Sequence, residues 1–156
     1  PMAPTRCGSV PAIEVAKYTA EHGLDVARAH CMNTGGFVDL LGTSDGVEVC
    51  DRAAAGDAAA ARAWDAMVYQ ICKWIGEMAC VLKGEVDGIL LGGGMVHSKE
   101  LVAAIEDACS WIAPVSAYPG EFELEAMAAG ACRVLDGDEK ALSYSGRPVF
   151  SGFEDC

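Results

Sequence analysis

Positive charge is scarce in this sequence: 11 lysines and arginines stand against 23 aspartates and glutamates, a formal charge of −12. A field of that sign repels phosphate backbones, so no nucleic-acid partner is expected. Close cysteine pairs are missing as well. Cys7, Cys31, Cys50, Cys72, Cys80, Cys109, Cys132 and Cys156 are spread almost evenly with no C-x-x-C spacing, which speaks against a zinc site or a redox motif. Secreted disulfide scaffolds are usually shorter and poorer in core residues. The expectation is reduced thiols in a cytoplasmic protein, with Cys72, Cys80, Cys109 and Cys132 acting as small hydrophobes in apolar helices. Lys73, Glu77 and Lys83 interrupt the most apolar windows, so no membrane span is expected. Prolines number only 6, beside 18 glycines and 52% hydrophobic residues, which excludes a disordered or collagen-like chain. What is left is a globular α/β chain of 156 residues, long enough for one core.

The pattern of apolar residues gives the element order. Residues 1–10 lack periodicity and read as a loop. Pro11 opens a helix to about His22, where Gly23 stops it. Leu24 to Met32 is a second helical stretch, and Asn33-Thr34-Gly35-Gly36 breaks it. Phe37 to Leu41 is apolar, and in the turn that follows Ser44 or Asp45 is placed to cap the next helix. From Asp57 to Lys83, Trp64, Met67, Val68, Ile71, Ile75, Met78, Ala79 and Leu82 recur at three- and four-residue steps. That spacing predicts an amphipathic helix roughly 40 Å long, its stripe facing a core. Val86 to Leu91 is a nearly continuous apolar run, the signature of a buried parallel strand. A helix from Ser98 to about Trp111, a strand from Pro114 to Tyr118, a helix from Glu121 to Leu135 and a last helical turn near Glu139 to Tyr144 complete the order. Two strands are too few to make a stable parallel sheet with helices packed on it. Either neighbouring strands come from outside this chain or the fold is unusual, and an uncovered sheet edge favours association, with copies of itself included.

Chemistry concentrates at Ile89 to Lys99, ILLGGGMVHSK. A strand that runs through glycines into a helix N-terminus lets backbone approach a ligand closely and offers it free N–H groups. The pattern is neither G-x-G-x-x-G nor a P-loop, and taken alone it equally describes a tight strand–helix turn. His22, His30 and His97 lack a paired Ser or Cys with a supporting acid, so none is read as a catalytic base.

Taken together, GGFVDLLGTSD (35–45), AMVYQICKWIGEMACVLKGEVDGILLGGG (66–94) and APVSAYPGEFELEAMAAGACRVL (113–135) strongly resemble the butyrate kinase branch of the acetate and sugar kinase superfamily. The opening PTRCGSVP is similar to that family's Ser-Pro-x-Arg-Ser-Gly-Gly-Leu-Pro segment. The resemblance is collinear to about Tyr144. It implies an α/β fold: the C-terminal part of a ribonuclease-H-like (actin-like ATPase) domain, helix-rich with two short parallel strands, over residues 1–144, with a polar tail at 145–156. It also implies ATP and Mg²⁺ as cofactors and phosphoryl transfer to butyrate or a similar carboxylate, giving ADP and an acyl phosphate. Gly93, Gly94 and Met95 match the family's adenosine motif, Ser98 and Lys99 the residues that close it, and Asp45 an aspartate bordering the adenine. His97 then reads as a wall of the nucleotide site. Where the family usually has an arginine two residues after that aspartate, this chain has Val47, which removes a cation able to stack on the base. Arg6 matches the arginine that contacts the transferring phosphoryl group.

Glu123 matches a glutamate associated with magnesium, and Glu121 of the same Pro-Gly-Glu segment is a second candidate. Glu121, Glu123 and Glu125 at a helix start also complement its dipole without any metal. The family's Asn-Pro-Gly-Ser-Thr-Ser-x-Lys and His-Leu-Gly-Gly-Gly phosphate segments are absent. The expectation is therefore a fragment whose partner is the N-terminal half of the kinase. A non-catalytic nucleotide-binding module and a purely structural part are the rival readings.

Overall fold

The computed structural model describes residues 1–146, so the expected polar tail falls outside the described residues from position 147 on, as does Cys156. Described residues fall into two compact units, one from Pro1 to Gly120 and one beginning at Glu121.

In the first unit, Pro11 precedes α1 (Ala12–His22) and Gly23 separates it from α2 (Leu24–Met32), both at the expected bounds. The apolar run after the glycine break is a short helix, α3 (Phe37–Leu41), and Asp45 caps α4 (Gly46–Ala54). The long amphipathic element is α5 (Ala58–Val81), 24 residues and so about 36 Å. Asp57 caps its start by accepting from Ala59 N at 2.9 Å and Ala60 N at 3.1 Å. β1 (Ile89–Gly93), a 3₁₀ turn (Gly94–His97), α6 (Lys99–Cys109) and β2 (Val115–Pro119) follow.

β1 and β2 pair in parallel, Ile89 opposite Val115 and Gly93 opposite Pro119. That register corrects the expected strand at Val86 to Leu91. Residues 86–88 belong to a turn in which Val86 N bonds Gly84 O at 3.0 Å, and the ladder starts only where Ile89 N reaches Pro114 O at 2.9 Å. Gly92 and Gly93 extend the strand because the β2 partner continues beside them.

One core serves this unit. Met2, Phe37, Val49, Ala60, Ala63, Met67, Ile89, Leu101, Ile105 and Cys109 cluster in it, all buried. α5 packs against α3, α4 and α6, and its sealed strip is Ala60, Ala63 and Met67. The far end of the expected stripe does not bury, since Met78 and Leu82 remain about half exposed. Cys109 is buried and Cys72 half-buried, as small hydrophobes are, whereas Cys80 and Cys132 lie exposed, contrary to expectation. Cys80 is on the solvent side of α5 near its end. No helix among the described residues is long and apolar enough to cross a membrane.

The second unit is built on α7 (Glu123–Leu135), none of whose residues is buried; that is why Cys132, on this helix, stays exposed. Gly137 N bonds Val134 O at 3.2 Å and closes α7 as expected. The expected helical turn at Glu139 to Tyr144 does not form. Leu142 and Tyr144 find nothing to pack against, and so short a helix without a buried face cannot offset its nucleation cost.

Two consequences can be measured. Met67→Ala, at a fully sealed position, should cost about 2–5 kcal/mol in urea unfolding; a change below about 1 kcal/mol would show that the α5 strip is not the core. Arg52 donates to Asp57 Oδ2 from Nη2 at 2.8 Å and from Nε at 3.0 Å. This pairing, with the amides of Ala60 and Ala59, holds the Asp57 carboxyl below its ordinary value of 3.8. The folded-state value is depressed, so the stabilisation is present above pH 3.8 and is lost as pH falls through the lower folded-state value. Asp57→Asn keeps the cap but removes the charge, and its melting temperature should depend less on pH in that acid window than that of the wild type.

Candidate functional site

Two helix starts face one cavity. Asp45 Oδ1 accepts from Val47 N at 2.8 Å and Glu48 N at 3.3 Å, which fixes the first turn of α4. Ser98 Oγ accepts from Leu101 N at 3.1 Å and so begins α6, while it donates to Glu100 Oε2 at 3.1 Å. Between these turns lies a space of about 550 Å³, bordered by Asp45, Gly46, Val47, Cys50, Gly94, Met95, His97 and Ser98. Ala54 and Trp64 from α4 and α5 also line it. The volume falls in the range of small-ligand sites, about 300–1,000 Å³.

The electrostatics of the cavity are mixed. Among the described residues, Asp45, Asp51 and Glu100 line it and no lysine or arginine does, while the N-terminal ends of α4 and α6 add partial positive charge. Glu100's carboxyl is held below the usual carboxylate range, first by its own backbone N–H and then by the Ser98 hydroxyl. Cys50's thiol is pushed up by burial and by the nearby Glu100 charge, with the Ser98 hydroxyl acting in the opposite direction. An un-ionised thiol beside anionic carboxylates suits a wall, not a nucleophile.

Of the residues singled out in the sequence, Asp45, Gly94, Met95 and Ser98 come together around this cavity, and His97 joins them. Gly93 ends β1 immediately before it, with φ 95° and its carbonyl 3.4 Å from Gly120 N. Lys99 is exposed on the first turn of α6 and is not a lining residue. Arg6 is also exposed, in the N-terminal loop, and is not a lining residue. Val47 stands on the rim, 69% exposed, so the position where the family usually has arginine contributes no cation there.

Glu121 and Glu123 belong to the second unit, at and just before the start of α7. No three His, Cys, Asp or Glu side chains gather to hold a metal among the described residues. The two glutamates fit Mg²⁺ only as one or two carboxylate ligands, with phosphate oxygens and water completing the shell. Sequence reasoning missed Cys50, Asp51, Ala54, Trp64 and Glu100 as cavity residues. Trp64 has core periodicity and is half-buried against Phe37, ring centroids 6.4 Å apart, so nothing in its spacing marked its second exposure to the cavity.

Comparison with known proteins gives this geometry its context. The model of the acetokinase family matches residues 2–113. The chain belongs to the acetokinase family. It is similar to a probable butyrate kinase of Clostridium botulinum (strain Alaska E43 / Type E3), 44% identical over 146 residues, covering 92% of this chain and 41% of the relative. A probable butyrate kinase of Enterococcus faecalis (strain ATCC 700802 / V583) is 41% identical over 147 residues, with 93% and 41% covered. Among solved structures, acetate kinase from Entamoeba histolytica superposes with a TM-score of 0.74 over 86% of this chain and 41% of its own, at 16% identity. That likeness concerns the fold, and it agrees with the expected part of an actin-like ATPase domain. Porphyromonas gingivalis acetate kinase matches at 27% identity and TM-score 0.58, over 70% of this chain and 27% of its own. The chain thus spans about two-fifths of the length of the curated relatives it matches.

The double use of Asp45 can be resolved by substitution. Asp45→Ala should lose a helix cap, about 0.5–2 kcal/mol. Asp45→Ser should keep the cap and lose only the carboxylate. Equal stability of the two variants would show that the carboxylate does not act through the cap.

Proposed function

We propose that this chain is the nucleotide-holding portion of a butyrate-kinase-type carboxylate kinase. The observation that carries the reading is the convergence of Asp45 with Gly94, Met95 and Ser98, which lie far from it in sequence, on one cavity between two helix starts. Among the described residues the cavity's lining has carboxylates but no lysine or arginine, so it suits an uncharged, hydrogen-bonding nucleoside and not a triphosphate. ATP would place its base and ribose there and extend its phosphates beyond the glycine turn. Carboxylate oxygens and hydroxyls would accept from ribose O–H and base N–H groups, Met95 and Trp64 offer apolar surface, and a side chain at Gly94 would fill the space.

In the reaction this reading implies, an oxygen of a short carboxylate such as butyrate attacks the γ-phosphorus in line. The new O–P bond forms as the bond to the β-phosphate oxygen breaks, giving ADP and the acyl phosphate. Arg6 would offset charge on the transferring phosphoryl oxygens, and Glu123, with Glu121 as the second candidate, would hold Mg²⁺, which when bound neutralises phosphate charge. The remaining phosphate contacts and the carboxylate pocket are assigned to the part of the kinase that the relatives carry outside the matched region. We assign residues 1–144 to this nucleotide-holding part and the cytoplasm as its place of action. A second reading, nucleotide binding without transfer, is favoured by the absence of lysine and arginine from the cavity lining among the described residues.

ATP at about 100 times its dissociation constant should stabilise the chain by roughly 2.7 kcal/mol, seen as a rise in melting temperature. Gly94→Val is the control of choice, since a Cβ at Gly94 meets nothing within 4 Å. It should leave the melting temperature without ATP unchanged and abolish the ATP-induced rise. No rise in the wild type would sink both binding readings and leave the structural one. Acyl phosphate trapped as hydroxamate, when the rest of the kinase is supplied, separates transfer from binding alone.

A further inference from the structure

The segment from Met2 to Ser9 carries Arg6 and contains no regular element, only the bridge between Ala3 and Arg6. Both its ends are held by one atom. Gln70 Oε1, on α5, accepts from Met2 N at 2.9 Å and from Ser9 N at 2.8 Å. One turn further along α5, Trp74 Nε1 donates to Ser9 Oγ at 3.3 Å. Gly8 sits between, at φ +75°, and a Cβ there would overlap Gln70 Oε1 and Met2 N. The middle of the segment is fixed separately: Ala3 and Arg6 exchange backbone bonds at 3.2 Å, Thr5 O accepts from Gly35 N at 3.1 Å, and Pro4 O accepts from Val38 N at 3.0 Å. Gly36 makes that approach possible, because a Cβ on it would overlap Ala3 O.

We propose that Gln70 is a positioning residue, a clasp whose single side-chain oxygen closes the segment from Met2 to Ser9 and so sets the backbone from which Arg6 projects. The inference rests on the reading of Arg6 given above. Its physical basis is entropy. An arginine on a loose loop must give up backbone freedom each time it meets a phosphoryl group. A loop closed in advance has lost that freedom on folding. The clasp uses only acceptor capacity, because both bonds are received by Oε1 and the amide nitrogen of Gln70 takes no part in them. A carboxylate can replace it and an alkyl group cannot.

That asymmetry supplies the test. Amide hydrogen exchange in the 156-residue chain compares wild type, Gln70→Leu and Gln70→Glu. Leucine should speed exchange at Met2 and Ser9 by about tenfold, the scale of one lost hydrogen bond, with α5 amides still protected, and glutamate should hold the wild-type rate. Pyrophosphate is then titrated against the Arg6 Nε–H resonance. Affinity should fall about fivefold or more in Gln70→Leu and return in Gln70→Glu. Gly8→Ala, which crowds the clasp without altering α5, should reproduce the leucine result and serves if Gln70→Leu does not fold. The clasp is overturned if the leucine variant exchanges like wild type, or if leucine and glutamate behave alike. Its role toward Arg6 is overturned if the loop loosens and pyrophosphate affinity stays the same. An Arg6 resonance in wild type that ignores pyrophosphate would instead sink the phosphoryl assignment of Arg6, while exchange still decides the clasp.

Discussion

α3, α4 and α6 are arranged around a strip of α5 that water does not reach. Ala60, Ala63 and Met67 lie three and four residues apart, so they share one face. Two of the three are alanine, which lets neighbouring helices come close before Met67 fills the remaining depth. Val49 of α4 and Leu101, Ile105 and Cys109 of α6 are sealed in the same cluster. Cys109 shows how dry this core is: burial, with Cys72 beside it, pushes its thiol up to about 11. Once α4 and α6 are both seated on α5, their N-terminal ends are committed to one region, and the cavity is what lies between them. The same helix, three residues beyond Met67, presents Gln70 to the N-terminal loop. Packing and site geometry are therefore one constraint seen at two distances from the core.

Stability and binding share atoms at the cavity rim. Asp45 and Ser98 each satisfy amides at a helix start, groups that would otherwise be orphaned. A capped helix start is rigid, so the walls it supports are rigid. The cost is that neither side chain is free to reorganise around a ligand. Ser98 is the more committed of the two, accepting from Leu101 N and donating to Glu100. In the proposed nucleotide site its contribution would be the placement of α6 and of the Glu100 carboxylate.

Legibility from sequence followed the range of the interactions. Caps and helix bounds were readable at Pro11, Asp45, Asp57, Ser98 and Gly137, because the decisive contacts lie within four residues. β1 was displaced by about half its length, since its register depends on β2, more than twenty residues away. The helical turn expected near Glu139 failed for want of a tertiary partner that no local pattern reports. In the cavity, the glycine turn and Asp45 stood out through family resemblance, whereas Trp64, Cys50 and Glu100 did not. Their spacing is that of ordinary helix positions, and only the crossing of α4, α5 and α6 makes them neighbours. The Gln70 clasp spans 68 residues to Met2 and had no local signature at all.

The sheet and the charge distribution point to a division of labour. Among the described residues the sheet has two strands, parallel, and Leu90 of β1 is 71% exposed. Parallel sheets otherwise occur with both faces covered. On the proposed reading, an acidic chain of charge −12 whose cavity is lined, among the described residues, by carboxylates and no lysine or arginine is a poor host for a triphosphate and a sound one for a nucleoside. The positive ends of α4 and α6 moderate the acidic wall without placing a mobile counter-charge in it. Cationic groups on this chain, Arg6 and Lys99, stand outside the lining. On the proposed reading, neutral and anionic recognition are separated in space, and Arg6 would serve the second from a loop that one glutamine oxygen on α5 holds at both ends.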